Sequence, residues 1–318
     1  MLPFSAIASD TNTNITVHKA TFPTHLGIDL AGNLYHPHGF NNSTSYAAII
    51  TVSPAGGVKE QTSGLYAHKL AERGGFVTLA FDASFRGESG GQPRYQENPL
   101  ARVEDIRGAV DYLVSLPYVD ANRIGVLGIC AGGGYAASAA MTERRIKAVG
   151  LSVPVNGGRE NRAGGREATI AALRDIAELR SAEARGGEPT IAAWIPDEYR
   201  NATDIDLREA YDYYRTPRAQ HPNWENRVRS STMDAVMAFD AFDLAGMLLT
   251  QPLQIFVGSK PGAFGSNQDG HYLYDVAASA QKDIVVMEGA SHFDLYDMPE
   301  YVDKAVATFS AFYETHLR

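Results

Sequence analysis

The sequence lacks the residues that mark several common protein classes. Cys130 is the single cysteine among 318 residues, which excludes an intrachain disulfide and a zinc site built from several cysteines. A lone cysteine fits a reducing compartment, so we expect a cytoplasmic protein. No uninterrupted apolar stretch reaches about 18 residues, so no transmembrane helix is expected. The first ten residues lack a basic segment and a long apolar run, so no signal peptide is expected either.

Positive charge is also scarce. The chain has 28 lysines and arginines against 37 aspartates and glutamates, for a net charge of -9. This balance argues against nucleic acid or an anionic membrane as the main partner. No dinucleotide fingerprint or metal-ligand cluster occurs, and the glycines at 132–134 lack the lysine of a phosphate-binding loop. We therefore expect no cofactor and no metal, and leave open whether the chain forms a homo-oligomer.

Apolar runs alternate with amphipathic segments along most of the chain. Predicted strands occupy residues 46–52, 76–81, 124–129, 146–153, 253–257 and 284–287, after a hairpin at 14–23 and 28–36. Predicted helices occupy residues 58–73, 103–116, 269–280 and 301–316. Strands that alternate with helices at this spacing predict an α/β fold with a mostly parallel central sheet and helices on both faces.

The alternation stops at Pro154. Residues 155–239 show no clear buried strand but hold a helical run, several tyrosines and both tryptophans, Trp194 and Trp224. We interpret this segment as a mostly helical cap inserted into a core formed by residues 1–154 and 240–318. The aromatic side chains either line a pocket or pack a small core of their own, and the sequence leaves both open.

A strand, a Gly-x-Cys-x-Gly turn and an alanine-rich helix follow one another at residues 124–140. This order is typical of a nucleophile elbow, a turn so sharp that Gly128 and Gly132 must lack side chains. The sequence thus predicts Cys130 as a nucleophile, although a free cysteine can also be a small buried apolar residue.

The other groups needed for acyl transfer have expected positions along the chain. His292 follows the last predicted strand, where the general base belongs, and a histidine beside Cys130 should favour the thiolate. The backbone N–H of Ala131 should be one oxyanion donor. The loop of Ala55, Gly56 and Gly57 should supply the second, for which we name Ala55 with the glycines as alternatives.

The carboxylate that would orient the base has no clear position. The strand at 253–257 runs into a segment that holds Lys260 and Pro261 where the acid usually lies. Asp269 is the first acid downstream and is our candidate, although it could equally cap a helix. Asp294 is a poorer candidate because its side chain can point away from His292.

With these residues in view, the chain resembles the α/β-hydrolase superfamily over nearly its whole length, and within it the dienelactone-hydrolase-like branch. The matching pieces are Gly-Ile-Cys130-Ala-Gly-Gly-Gly-Tyr, Pro-Ala-Gly-Gly-Val-Lys-Glu-Gln61, Phe-Asp82-Ala-Ser-Phe-Arg-Gly-Glu-Ser-Gly and Glu-Gly-Ala-Ser-His292-Phe-Asp-Leu-Tyr-Asp. It is also similar to fungal polyketide thiohydrolases and acyltransferases. The resemblance implies a Cys-His-Asp triad, with Cys130 and His292 carried over directly.

A cysteine nucleophile favours activated acyl donors, because attack of a thiol on an ordinary alkyl ester is uphill. We predict a hydrolase that cleaves an activated ester, lactone or thioester of a small molecule through an acyl-cysteine. One alternative is an acyltransferase, for which a basic docking patch for a carrier would be needed. The other alternative is a non-catalytic binding protein on the same scaffold. Six arginines of the predicted cap are candidates for the carrier-docking patch that the acyltransferase would need: Arg159, Arg162, Arg166, Arg174, Arg180 and Arg185.

Overall fold

A computed structural model describes residues 15–318, which form one eight-stranded sheet with helices on both faces. The predicted start of the hairpin at residue 14 and the N-terminal stretch expected to lack a signal peptide lie outside the described residues. The strands of this sheet are β1 (Thr16–Pro23), β2 (Asp29–His36), β3 (Tyr46–Val52), β4 (Val77–Phe81), β5 (Val119–Ile129), β6 (Ile146–Ser152), β9 (Leu253–Gly258) and β10 (Lys282–Met287). A separate pair consists of β7 (Ile191–Ala192) and β8 (Val228–Arg229).

The strand order in the large sheet is β1-β2-β4-β3-β5-β6-β9-β10. β1 pairs with β2 and β2 with β4 in antiparallel fashion, while the pairs from β4 to β10 are parallel. β4 is buried along its whole length, as a strand covered on both faces should be. β1 lies at an edge, and its side chains are mostly exposed. The predicted mostly parallel sheet is confirmed.

Eleven helices accompany the strands in the described part of the chain. They are α1 (Thr62–Gly74), α2 (Pro99–Ser115), α3 (Ala131–Thr142), α4 (Gly157–Asn161), α5 (Gly165–Ala184), α6 (Ile205–Arg215), α7 (Met233–Ala238), α8 (Ala245–Leu248), α9 (Ser266–Val276), α10 (Asp294–Asp297) and α11 (Pro299–His316). Among the helices of residues 15–318, none has the length and hydropathy that a membrane span requires.

Two glycines of β5 show how the helices cover the sheet. A Cβ on Gly125 would lie 2.8 Å from Cε1 of Tyr313 in α11, and a Cβ on Gly128 would lie 2.8 Å from the Cβ of Ala136 in α3. Residues three apart on a strand face opposite sides of the sheet, so α11 and α3 pack on opposite faces. The glycines allow both helices to approach the strand that leads to Cys130.

Residues 155–239 lie between β6 and β9. They contain α4 to α7, two short 3₁₀ helices at Tyr199–Asn201 and Ser230–Thr232, and the β7–β8 pair. These strands are two residues long, too short to produce an apolar run in the sequence, which is why sequence analysis did not detect them. α5 is twenty residues long, and Ile176 is its one buried residue.

Candidate active site

Cys130 lies on the turn between β5 and α3. Its backbone adopts φ 56° and ψ -129°, a left-handed value of φ that residues with a Cβ rarely occupy. A Cβ on Gly128 would lie 2.4 Å from the carbonyl oxygen of Gly132, and a Cβ on Gly132 would lie 2.4 Å from that of Val52. Such strain persists only where the surrounding structure enforces it, which is typical of a functional turn.

The thiol of Cys130 is almost enclosed, with 8% of the residue exposed. Burial raises the pKa of the Cys130 thiol to about 12, while hydrogen bonds that a thiolate would accept from the Tyr296 hydroxyl and the backbone N–H of Ala131 act in the opposite direction. The sequence led us to expect a thiolate here. The structure instead favours the neutral thiol, because loss of water outweighs the two hydrogen bonds.

His292 lies in the loop between β10 and α10, where the sequence placed the general base. It is 2% exposed, and burial lowers the pKa of its imidazole to about 3. Its Nδ1 lies 2.9 Å from the hydroxyl of Ser266, and its Nε2 lies 3.2 Å from the hydroxyl of Tyr296. The imidazole is therefore neutral, which is the form that accepts a proton.

Asp269, predicted to orient this imidazole, makes other contacts. Its Oδ2 accepts a hydrogen bond from the backbone N–H of Asn156 at 2.7 Å, and its Oδ1 accepts one from Arg159 at 2.5 Å. α9 begins at Ser266, three residues earlier than predicted, so Ser266 faces the ring while Asp269 lies one turn further on, against α4. The predicted Asp–His pair is thus replaced by a Ser–His pair.

Asp294, the poorer candidate, also points away from the imidazole of His292. Its Oδ2 accepts a hydrogen bond from the backbone N–H of Ser291 at 2.9 Å, and its own N–H donates to the Ser291 hydroxyl at 3.1 Å. These two bonds form a local turn at the start of α10, so the carboxylate has a structural use.

The predicted oxyanion donors lie beside the thiol. Ala55 and Ala131 line the same cavity as Cys130. Gly56 has φ +69°, and a Cβ there would lie 2.8 Å from the indole of Trp194, so the loop must contain glycine to pass beneath this side chain. The close approach of Gly132 to the end of β3 brings this loop next to the N-terminus of α3.

A buried ion-pair network supports the loop, and sequence analysis missed it. Lys59 is fully buried; its backbone N–H donates to Asp82 Oδ1 and its Nζ to Asp82 Oδ2, each at 2.8 Å. Glu88 and Glu60 also contact Nζ, at 2.5 and 2.7 Å. The available signal was Asp82 directly after β4 and Lys59 in the loop that follows the adjacent β3, since parallel strands end at one edge of the sheet.

The cavity above Cys130 has a volume of about 110 Å³. Both alternatives for the aromatic residues of 155–239 hold in part, because Tyr213 packs fully buried while other side chains of that segment line the cavity. The segment contributes Val155, Glu160, Trp194, Ile195, Ala210, Tyr214 and Trp224, and the remainder comes from Pro54, Ala55, Cys130, Ala131, Phe264, Phe293 and Tyr296.

Glu160 is the one charged residue among those that line the cavity. Part of its surface is exposed, yet loss of water around the carboxyl raises the pKa of Glu160 to about 7, with smaller contributions from Asp269 and Asp206. Near neutral pH this carboxyl is therefore partly protonated and can either donate or accept a hydrogen bond.

Three of the six predicted patch arginines are paired with acids. Arg159 contacts Asp269, while Arg162 and Arg180 contact Asp240 and Asp234 at 3.3 and 3.4 Å. These pairs offset part of the positive charge that a carrier-docking surface would use. In the described part of the chain, no group of three His, Cys, Asp or Glu side chains is arranged to hold a metal ion.

Comparison with known proteins agrees with the observed fold. A model described as the alpha/beta hydrolase family matches residues 38–305. The chain is 42% identical over 311 residues to the uncharacterized protein YcjY of Escherichia coli K12, covering 96% of this chain and 99% of the relative. The crystal structure of hypothetical protein PA2218 from Pseudomonas aeruginosa superposes with a TM-score of 0.88 at 33% identity, covering 99% of this chain and 96% of that one.

Two more distant fungal relatives carry functional names. Thiohydrolase apmlB of Arthrinium phaeospermum is 28% identical over 75% of this chain and 78% of its own length. Polyketide transferase claH of Penicillium crustosum is 24% identical over 87% of this chain and 90% of its own length.

Proposed function

This chain belongs to the alpha/beta hydrolase family, and on that premise we propose that it cleaves an activated acyl compound through an acyl-cysteine on Cys130. One observation carries the proposal. Cys130 lies on a strained turn, and the backbone N–H of Ala131 points at its sulfur. The same N–H would donate a hydrogen bond to the oxyanion. A merely structural cysteine would not need a left-handed backbone or two flanking glycines that touch neighbouring carbonyl groups.

The roles follow from position. The Cys130 sulfur attacks the acyl carbon, and His292 accepts the thiol proton and later returns it to the leaving group. The N–H groups of Ala131 and Ala55 stabilise the negative oxygen of the tetrahedral intermediate. Ser266 orients the imidazole by accepting a hydrogen bond from Nδ1, which leaves Nε2 unprotonated, as the base must be.

A thioester, an enol ester or a strained lactone is the substrate class that suits a thiol nucleophile. Exchange between two thioesters is close to balanced, whereas formation of a thioester from an alkyl ester is uphill. The small, largely apolar cavity favours a short or compact acyl group. We further propose that residues 155–239 act as a cap, since they supply half of the residues that line the cavity.

Transfer of the acyl group to an acceptor other than water is the second candidate. The names of the two fungal relatives, a thiohydrolase and a polyketide transferase, support both outcomes equally. The cap favours transfer, because a covered intermediate is shielded from water. The paired arginines weigh against an extensive carrier-docking patch.

The test compares wild type with Cys130→Ala on a matched pair of substrates, a short-chain acyl thioester and a p-nitrophenyl ester of the same acid. Rapid acid quench and intact-mass measurement should find one acyl group on the wild-type protein and none on the variant. Added thiol, amine and alcohol acceptors then separate hydrolysis from transfer through the products. Equal turnover by Cys130→Ala would refute the acyl-cysteine mechanism.

A further inference from the structure

The hydroxyl of Tyr296 lies between the two groups that must exchange a proton. Its oxygen is 3.2 Å from Nε2 of His292, and the same hydroxyl is close enough to the thiol of Cys130 to influence its pKa. Cys130 and Tyr296 line the same cavity, which places the hydroxyl beside the reacting sulfur. In a direct Cys–His pair, Nε2 of His292 would contact the thiol. Here Nε2 contacts the hydroxyl of a third residue, Tyr296.

Tyr296 is held firmly in this position. The hydroxyl of Thr62 donates to the carbonyl oxygen of Tyr296 at 2.9 Å, and the hydroxyl of Tyr66 donates to that of Leu295 at 2.8 Å. The ring centroid lies 4.4 Å from that of Phe293 and 5.1 Å from that of Tyr213. Tyr296 is 1% exposed, so the hydroxyl has no competing bulk water.

The hydrogen bonds can all run in one direction. If Nδ1–H of His292 donates to Ser266, then Nε2 has a free lone pair for the Tyr296 hydroxyl. The Tyr296 oxygen in turn accepts the S–H of Cys130. Burial raises the pKa of Tyr296 well above its ordinary range, so the hydroxyl is protonated at rest and no tyrosinate accumulates.

We propose that Tyr296 is a catalytic proton relay between Cys130 and His292, an inference that rests on the proposed acyl-cysteine function. As the Cys130 sulfur bonds to the acyl carbon, its proton moves to the Tyr296 oxygen and the tyrosine's own proton moves to Nε2. When the bond from the acyl carbon to the leaving sulfur or oxygen breaks, the proton on Nε2 returns by the same path to the leaving atom. Tyr296 and His292 end as they began, and Cys130 carries the acyl group.

The first experiment measures single-turnover acylation of the wild-type protein by the acyl thioester in mixtures of light and heavy water. After division by the ground-state isotopic fractionation of the thiol S–H, two protons that move in one step still give a curved dependence of the rate on deuterium fraction. A linear dependence means one proton in flight and would overturn the relay. This measurement does not depend on whether any variant folds.

The second experiment uses Tyr296→Phe, which keeps the ring and removes the hydroxyl. Acylation should slow by about 100-fold or more, the range for loss of a general acid–base group, while KM changes by less than about threefold. Tyr313→Phe is the matched control: it removes a buried hydroxyl that donates to the Val126 carbonyl at 2.7 Å, away from the site, and should acylate at the wild-type rate.

An acylation rate of Tyr296→Phe equal to or above that of wild type would overturn the relay, since the hydroxyl would then be dispensable or an obstacle. If this variant fails to fold, 3,5-difluorotyrosine at position 296 keeps the hydroxyl and makes it more acidic. A changed acylation rate with that residue supports the relay, and an unchanged rate refutes it. Absence of any acyl group on wild-type Cys130 would instead refute the proposed function, which separates the two failures.

Discussion

Alkylation of Cys130 by iodoacetamide should be slow near neutral pH and should accelerate continuously with pH. A thiol with a pKa of about 12 is ionised to about 3 parts in 10⁵ at a pH of about 7.5, whereas an ordinary thiol with a pKa of about 8.5 is about one-tenth ionised. The ionised fraction of the ordinary thiol is therefore about 3,000 times that of Cys130. The more basic thiolate is intrinsically more nucleophilic, which recovers a factor of about 40 at a Brønsted coefficient of about 0.45. Native Cys130 should therefore react about 75-fold more slowly than an unperturbed thiol.

The assay compares the native protein with the same protein in urea, followed by intact mass over a pH range of about 6 to 10. Cys130 is the only cysteine, so each adduct reports on one site. The native rate should rise about tenfold per pH unit over the whole range, while the unfolded reference levels off above a pH of about 8.5. Restricted access lowers the native rate at every pH but leaves its slope unchanged, so the slope is the diagnostic quantity.

Unlike the alkylation rate, kcat/KM should depend little on pH. The pKa of His292 is lowered to about 3, so its imidazole stays a neutral base as pH falls from about 8 to about 5. The value of kcat/KM should be nearly flat over that range and fall only where the pH approaches the lowered pKa. An alkylation rate that levels off below a pH of about 7 would refute this reasoning, because it would indicate a thiolate–imidazolium pair at rest.

Three further predictions test other parts of the site by substitution. Asp269→Asn should keep kcat within about threefold, whereas Ser266→Ala should lower kcat by about tenfold with little change in KM, because Ser266 orients the imidazole. If steady-state kinetics show the larger loss for Asp269→Asn, Asp269 is the orienting group. Gly132→Ala places a Cβ 2.4 Å from a backbone oxygen and should lower the free energy of unfolding by about 2 kcal/mol or more, measured by thermal melting; an unchanged melting temperature would contradict the tight turn. Lys59→Met leaves Asp82 buried without its cation and should lower the free energy of unfolding by about 3–5 kcal/mol, measured by urea denaturation. Adding Asp82→Asn should recover part of that stability. A decrease below about 1 kcal/mol would mean that water reaches the pair.

The strands, the turn at Cys130 and the position of His292 could be predicted because the sequence patterns that indicate them are local. The apolar runs of the central strands are buried on both faces, so their sequence pattern alone identifies them. The turn at Cys130 needs glycine at 128 and 132 for steric reasons that involve residues close in sequence and the end of a neighbouring strand. His292 was placed because it follows the last strand, whose end the pattern also shows.

The partners of His292 depended on tertiary structure. A start of α9 three residues earlier than predicted puts Ser266 instead of Asp269 beside the imidazole, and boundaries are the least certain part of any sequence pattern. Tyr296 is visible in the sequence four residues after His292, but its contact with Cys130 joins residues 166 positions apart. No pattern along the chain reports such a distance.

The sequence by itself determined the sheet, the elbow with Cys130 and the position of His292, because backbone sterics and the burial of apolar strands act over short stretches of chain. Only the tertiary structure decided the charge state of the site. Residues 155–239 and the loop after β3 pack around the site, and removal of water makes the thiol and the imidazole neutral. Desolvation is a property of everything that surrounds a group, so it is established only when distant segments pack together.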